Sequence, residues 1–263
     1  MEICILGLPQ TGKTTVFNTL TGGRSEAVLL SSSHFAPNIG IARLPDSRIP
    51  FLQGIYHPKK TVHADIKYTD IAGVQKSSVK GEGIYGPFLN YLSSADSIMH
   101  VVRAFDNPTV PHSEGSVDPR RDIVNMYLEL VISDVVILER RLDRIDIGLK
   151  SAKPDERDQL HKEQQLLGRI KAALDKETPI WKQNLTKEEL LSISSYQFLT
   201  AKPMLIVLNI SEDQVSKIEQ IEKEYRSIYN SENFDVIALC GKLEHELAQL
   251  SEVEAAEFRD SLG

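Results

Sequence analysis

The chain is short of cysteine, of long apolar runs and of basic charge, and each shortage closes a class of function. Its two cysteines, Cys4 and Cys240, stand far apart in apolar, strand-like contexts. That excludes a disulfide scaffold and reads as free thiols in a reducing compartment. No stretch approaches the roughly 20 apolar residues that span a bilayer. Met1-Glu2 leads straight into an apolar run, with neither a basic region nor a cleavage pattern, so no signal peptide or membrane segment is expected. A formal charge of −7 and a pI near 5.6 argue against strong binding to bare nucleic acid, which relies on a broad basic surface. Internal repeats and low-complexity tracts are missing too. Together these absences predict a cytoplasmic globular protein without membrane contact.

What is present begins at once. Residues 7–14 read Gly-Leu-Pro-Gln-Thr-Gly-Lys-Thr, a complete G-x-x-x-x-G-K-[ST] phosphate loop (P-loop), directly after Ile3-Cys4-Ile5-Leu6, which reads as a buried strand. The glycines let successive backbone N–H groups face phosphate oxygens, while Lys13 reaches the outer phosphates and Thr14 offers a hydroxyl to Mg²⁺. Pro9, Gln10, Thr11, Gly12 and Thr15 complete the expected nucleotide contacts. A helix should follow, burying Val16, Phe17 and Leu20.

Further along, residues 22–33 read as a loop, and residues 37–42 and 64–68 alternate as strands do, separated by turn segments at Pro45-Asp46 and Pro58-Lys59-Lys60. A Gly-rich stretch over 73–86, a short helix near 88–92 and a strand over 97–102 come next. Strands alternating with helices predict an α/β fold with a mostly parallel sheet. From Asp118 the period changes: Leu128, Ile132, Val135, Leu138, Leu142, Ile145 and Leu149 mark a long amphipathic helix. After a turn at Lys153-Pro154-Asp155, Leu160, Leu167, Ile170 and Leu174 mark a second helix running back, giving an antiparallel hairpin. A third begins at Thr186, where Glu189 completes capping-box spacing. The strand pattern resumes over 203–208, and Ser211 with Gln214 should cap the next helix. A last strand over 234–239 and closing helices over 243–258 complete the chain. The predicted division is therefore a nucleotide domain, 1–117 and 200–263, with a helical domain, 118–199, inserted in it.

Two further motifs carry chemistry. Asp70-Ile71-Ala72-Gly73 puts an aspartate at a strand end and a glycine three residues on, the spacing at which a carboxylate supports Mg²⁺ and a backbone N–H meets the terminal phosphate. Asn209-Ile210-Ser211-Glu212 stands where GTPases carry Asn-Lys-x-Asp. With the lysine gone and a glutamate at the last position, selection of guanine should weaken, and adenine becomes the expected base.

These residues resemble the Obg-like ATPase family, known as YchF in bacteria. The likeness extends through Pro37-Asn38-Ile39-Gly40, Lys80-Gly81-Glu82-Gly83, His100-Val101-Val102-Arg103, Gly115-Ser116-Val117-Asp118-Pro119 with Arg121-Asp122-Ile123, and Thr200-Ala201-Lys202-Pro203. The resemblance implies a P-loop, GTPase-like fold carrying an inserted helical hairpin, preference for ATP over GTP, and association with the ribosome. It implies that Val74 replaces a water-orienting glutamine, that the loop residue His112 positions water instead, and that Cys240-Gly241-Lys242 is a backbone-contact loop beside the base. Two positions depart from the family pattern: Gln10 stands for an asparagine, and His34 aligns with the switch threonine, for which Ser32 or Ser33 would substitute; the family's usual C-terminal TGS domain is expected to be absent.

The expected activity is slow, Mg²⁺-dependent hydrolysis of ATP. Lys13 and the Gly73 amide would act on the phosphates, Asp70 would support the metal, and Asn209, Ile210, Glu212, Cys240 and Gly241 would hold the base. Triphosphate should order residues 24–40 and 73–86. A GTPase of the same fold and a nucleotide-regulated binding module with little turnover are the rivals.

Overall fold

The computed structural model describes residues 1–22, 25–26, 37–71, 87–229, 233–251, 254–255 and 257–258. The Gly-rich stretch over 73–86, and most of the loop expected over 22–33, lie outside them. The chain divides into two compact units, one drawn from Met1–Val74, Ala95–Pro119 and Met204–Gly263, the other from Gln75–Ser94 and Arg120–Pro203.

The first unit is built on a sheet whose strands are Glu2–Leu6 (β1), Ser25–Glu26 (β2), Asn38–Arg43 (β3), Asp65–Asp70 (β4), Ser97–Arg103 (β5), Met204–Asn209 (β6) and Phe234–Leu239 (β7). Their order is β2-β3-β4-β1-β5-β6-β7. Strands β4, β1, β5, β6 and β7 are parallel, and the central β1, β5 and β6 carry the near-continuous apolar runs of strands covered on both faces. The β2 and β3 edge is antiparallel. Every residue of β5 is buried. On one face, helix α1 (Lys13–Thr21) inserts Val16 and Phe17 among Ile5, Met99, Val101 and Val207, with Leu20 partly buried beside them. Because the central strands are parallel, their C-terminal ends open on one edge of the sheet, the place where such folds bind ligands.

Between β3 and β4 the sequence suggests only turns, yet a helix, α2 (Arg48–Tyr56), forms there. It buries no residue, so it has no apolar stripe to reveal it. Pro50 is tolerated because it lies in the first turn, where a backbone N–H would find no helical partner.

The second unit is helical: α3 (Pro87–Ser94), α4 (Pro119–Leu149), α5 (Pro154–Leu174) and α6 (Lys187–Ile193). To the hairpin's core α4 contributes the buried Val131, Leu138 and Ile145, with Val135, Leu142 and Leu149 partly buried between them. This is a seven-residue repeat. Leu128 and Ile132, expected to begin the seam, are only half buried, and Val131 takes their place. Opposite lie Leu167, Ile170 and Leu174. Contacts from Lys171 to Glu139 and from Gln164 to Asp146 connect the helices in the order an antiparallel hairpin demands, and Arg141 pairs with Glu163 between the same two helices. Pro154 opens α5 instead of lying in the turn, a position its fixed φ suits. Thr186 and Glu189 form the expected capping box.

One buried carboxylate holds this unit's closing segment. Asp134 is fully buried; its Oδ1 accepts from the Leu199 N–H at 2.7 Å and its Oδ2 from the Thr200 N–H at 2.8 Å. Burial pushes its pKa up to about 6, against the opposing pull of those bonds and of Lys202. A carboxyl that is harder to ionise folded than unfolded contributes most below the unfolded value near 4, and that contribution is lost as pH rises through about 6. The D134A variant leaves two buried N–H groups without acceptors, so we expect chemical denaturation at pH 7 to show a loss of about 2–4 kcal/mol. The part of the wild-type decline between about pH 4 and pH 6 that Asp134 causes should vanish in the variant.

Candidate functional site

The loop after β1 turns sharply at two points. Gly12 has φ 93° and lies so close to Asn209 that a Cβ would come within 2.2 Å of its Nδ2. Gln10 adopts φ 62°, a left-handed conformation costing a non-glycine residue about 1 kcal/mol. The loop is closed internally. Thr11 Oγ1 donates to the Leu8 carbonyl at 3.1 Å and Lys13 Nζ donates to the same oxygen at 2.8 Å. Lys13 is 6% exposed, and burial lowers its pKa to about 8 against the pull of Asp70. His100, buried in β5, is kept neutral, its pKa lowered to about 3 by burial and by the nearby Lys13 charge.

Asp70 ends β4 beside this loop, as the sheet register Ile5↔Asp70 dictates. Its Oδ2 accepts from Thr14 Oγ1 at 2.9 Å and from Asn38 Nδ2 at 3.3 Å. Its Oδ1 is buried and has no partner among the described residues. Burial raises the Asp70 pKa, opposed by the Thr14 and Asn38 bonds and by Lys13. The sequence reading paired Thr14 with Asp70 but did not anticipate Asn38, whose motif it noted only as a resemblance.

Asn209, at the end of β6, ties three segments together. Its Nδ2 donates to the Thr11 carbonyl at 2.9 Å, and its Oδ1 accepts from the Gly241 N–H at 2.9 Å. The sequence reading gave Asn209 to the base edge, whereas here its amide braces the phosphate loop against the loop after β7. Cys240 and Gly241 are buried at that brace. Ile210 is buried, and its N–H donates to the Leu239 carbonyl at 2.9 Å. Glu212 lies farther out, its Oε1 2.6 Å from Lys242 Nζ. Gln214 Oε1 accepts from the N–H and Oγ of Ser211, but the turn it caps is a 3-10 run, Glu212–Lys217, and helix α7 (Ile218–Tyr229) begins only after it.

A cavity of about 770 Å³ opens between these loops, a volume suited to a small-molecule ligand. Gln10, Gly12 and Thr15 form one side, Asn209 to Asp213 with Cys240 and Lys242 another, and Phe105, Asp106, Asn107 and Val110 a third. That third wall escaped the sequence reading, since a polar loop following a strand carries no periodic signal. Pro9 is half buried in the phosphate loop. His112 belongs to the same stretch as the third wall, but its Nδ1 accepts from the Glu114 N–H at 3.1 Å and the residue is not part of the lining. Gly73, Val74, His34, Ser32 and Ser33 lie outside the described residues. Among the described residues no three His, Cys, Asp or Glu side chains gather as a metal cage, and no helix is long and apolar enough to cross a membrane.

The chain's likenesses agree with this geometry. The 50S ribosome-binding GTPase family matches residues 2–138. The ribosome-binding ATPase YchF of Bacillus subtilis is 38% identical over 98% of this chain and 70% of its own length. Its namesake from Haemophilus influenzae is 34% identical over the same shares. The solved structure of the Schizosaccharomyces pombe YchF GTPase superposes with a TM-score of 0.79 at 29% identity, covering 100% of this chain and 71% of that one. A P-loop sheet with Lys13, Thr14 and Asp70 gathered at its C-terminal edge, and relatives of this closeness, lead to one conclusion: the chain belongs to the YchF family of P-loop nucleotide hydrolases.

Proposed function

We propose that this protein binds Mg·ATP and hydrolyses it slowly to ADP and phosphate, as a nucleotide-switched regulator that associates with the ribosome. In this reading residues 118–199 form a helical domain inserted between two parts, 1–117 and 200–263, of the nucleotide domain. The observation that carries it is the pairing of a buried lysine with a Thr14–Asp70 couple, beside a cavity of nucleoside size at the ends of parallel strands. The ribosome enters from the names of the relatives, which are called ribosome-binding.

The Asp70 and Thr14 oxygens suit Mg²⁺, a hard cation that takes a few protein oxygens and completes its shell with water and phosphate. The partnerless buried Oδ1 of Asp70 supports that fit, because an orphaned carboxylate oxygen is costly unless a cation or donor meets it. Bound there, the metal would offset charge on the phosphate oxygens. Lys13 would leave the Leu8 carbonyl for the β and γ phosphates, and the Gly73 amide would meet the γ phosphate. Backbone groups around Gln10, Thr11, Gly12 and Thr15 would cradle the remaining oxygens. Ordering of residues 24–40 and 73–86 by triphosphate would supply the switch.

Adenine is favoured by the Asn-Ile-Ser-Glu segment. The buried Ile210 gives no aliphatic stem and ammonium of the kind a lysine lays along guanine, and the Glu212 carboxylate is engaged by Lys242. That ion pair is exposed and therefore weak, so guanine is disfavoured and not barred. Asn209, with one amide hydrogen beyond its bond to Thr11, would meet the base from the inner side.

Titration of nucleotide-free protein should give an ATP dissociation constant at least about tenfold below that for GTP; the reverse order would sink the base assignment. The Asp70→Asn variant should bind ATP equally with Mg²⁺ or with chelator, whereas the wild-type protein should gain about tenfold from the metal. With Val74 unable to orient water, His112 is the candidate for that task. Single-turnover hydrolysis in His112→Ala should fall about 100-fold, and an unchanged rate would remove His112 from the mechanism.

A further inference from the structure

Arg103, at the last position of β5, is 1% exposed and the largest of the fully buried side chains among the described residues. Among the described residues its side-chain hydrogen bonds do not go to the phosphate loop. Its guanidinium instead reaches into the segment that leaves β5. Nε donates to the Phe105 carbonyl at 3.1 Å, and Nη2 donates to the Val110 carbonyl at 2.9 Å and, less closely, to that of Asn107 at 3.4 Å. The guanidinium carbon also lies 4.6 Å from the centroid of the Phe105 ring, within cation–π range. Its own backbone is fixed by pairing with Asn209 across β5 and β6, where the Ala104 N–H donates to the Asn209 carbonyl at 2.7 Å.

The segment so held is the cavity's third wall, Phe105, Asp106, Asn107 and Val110. Locally it is a tight turn. The Asn107 side chain accepts from the Thr109 N–H at 3.0 Å and from its hydroxyl at 2.7 Å, and the Val110 N–H donates to the Asn107 carbonyl at 3.1 Å. Those bonds shape the turn but do not fasten it to the sheet. Arg103 does, because only a forked guanidinium presents enough donors in one plane to hold several carbonyls at once.

The arrangement is costly. Among the described residues no carboxylate pairs with Arg103, and its Nη1 is buried without a partner. An unpaired buried charge is unfavourable, and an apolar side chain of similar length would pack without that penalty. We propose that Arg103 is a positioning residue for nucleotide selection: it never meets the ligand, but it fixes the wall against which the base packs. The inference rests on reading the cavity as the nucleoside site. It adds that base affinity is set from beneath the loop, by a residue shared in register with Asn209, which braces the opposite side.

The test compares wild type, R103K and R103M by calorimetric titration with ATP and with inorganic tripolyphosphate, Mg²⁺ present throughout. R103M keeps the buried volume and removes the charge, so it guards against simple unfolding, which circular dichroism would report. Wild type should bind ATP more tightly than tripolyphosphate. Both variants should keep their tripolyphosphate affinity within about twofold and lose about tenfold or more on ATP, with R103K losing less. Unchanged ATP affinity in both variants would overturn the proposal, as would equal weakening of both ligands. A wild-type protein that binds tripolyphosphate as tightly as ATP would overturn the nucleoside-site reading instead, and the proposal with it.

Discussion

The side-chain amide of Asn209 is the interaction on which the site's geometry depends. One atom of it holds the Thr11 carbonyl, the other the Gly241 N–H, so a single buried group joins the ends of β1, β6 and β7. That closeness demands a glycine at position 12 and leaves little room at position 241. A Cβ on Gly12 would meet Nδ2 at 2.2 Å and one on Gly241 would meet Oδ1 at 3.0 Å. The glycine of the phosphate loop is thus needed twice, for its φ of 93° and for the room Asn209 takes. Parallel strands make the brace possible. They bring loops that are 198 and 32 residues apart from their partners to one edge, at a loop-closure cost that grows only with the logarithm of chain length.

Around that brace the charges are arranged before any ligand arrives. Lys13 is buried next to a neutral His100 and an Asp70 that, among the described residues, has two donors for its four lone pairs. Lys13 and Asp70 thus stand at the strand ends with their surroundings already fixed by the fold. Such preorganisation places the reorganisation cost in folding and not in binding.

The parts of this architecture that sequence reveals are those with a period or a fixed spacing. β1, β5 and β6 are apolar runs, and the phosphate loop and Asp70 are defined by intervals; all were legible. The seven-residue repeat of α4 was legible in its C-terminal two-thirds, where Leu138, Leu142, Ile145 and Leu149 carry it, but not at its start, where Leu128 and Ile132 are apolar without being central. Helix α2 was missed because no face of it is buried, which leaves a sequence pattern nothing to report. The Phe105–Val110 wall was missed for a different reason. Its attachment to the sheet is made by bonds to a side chain in the preceding strand, and no interval in the loop itself encodes them.

Polar residues inside β5 show what such silent positions are for. A strand buried along its whole length has no solvation to offer His100 or Arg103, so each must answer to a neighbour. His100 is kept neutral beneath Lys13, where an ion would oppose the ammonium. Arg103 lies where the strand ends, and its donors turn outward to the carbonyls of Phe105, Asn107 and Val110. Apolar side chains at both positions would make a better strand and a poorer edge, because the loops that leave the sheet there would be shaped only by themselves. The same logic applies to Asp134 in the helical unit, a buried carboxylate that holds a chain segment by its backbone. In both units the ordering of irregular backbone is delegated to one buried, charged side chain on the regular element beneath it. Removing Arg103 should therefore change what its loop can do before it changes how the fold is built, whereas removing Asp134 is felt directly in stability.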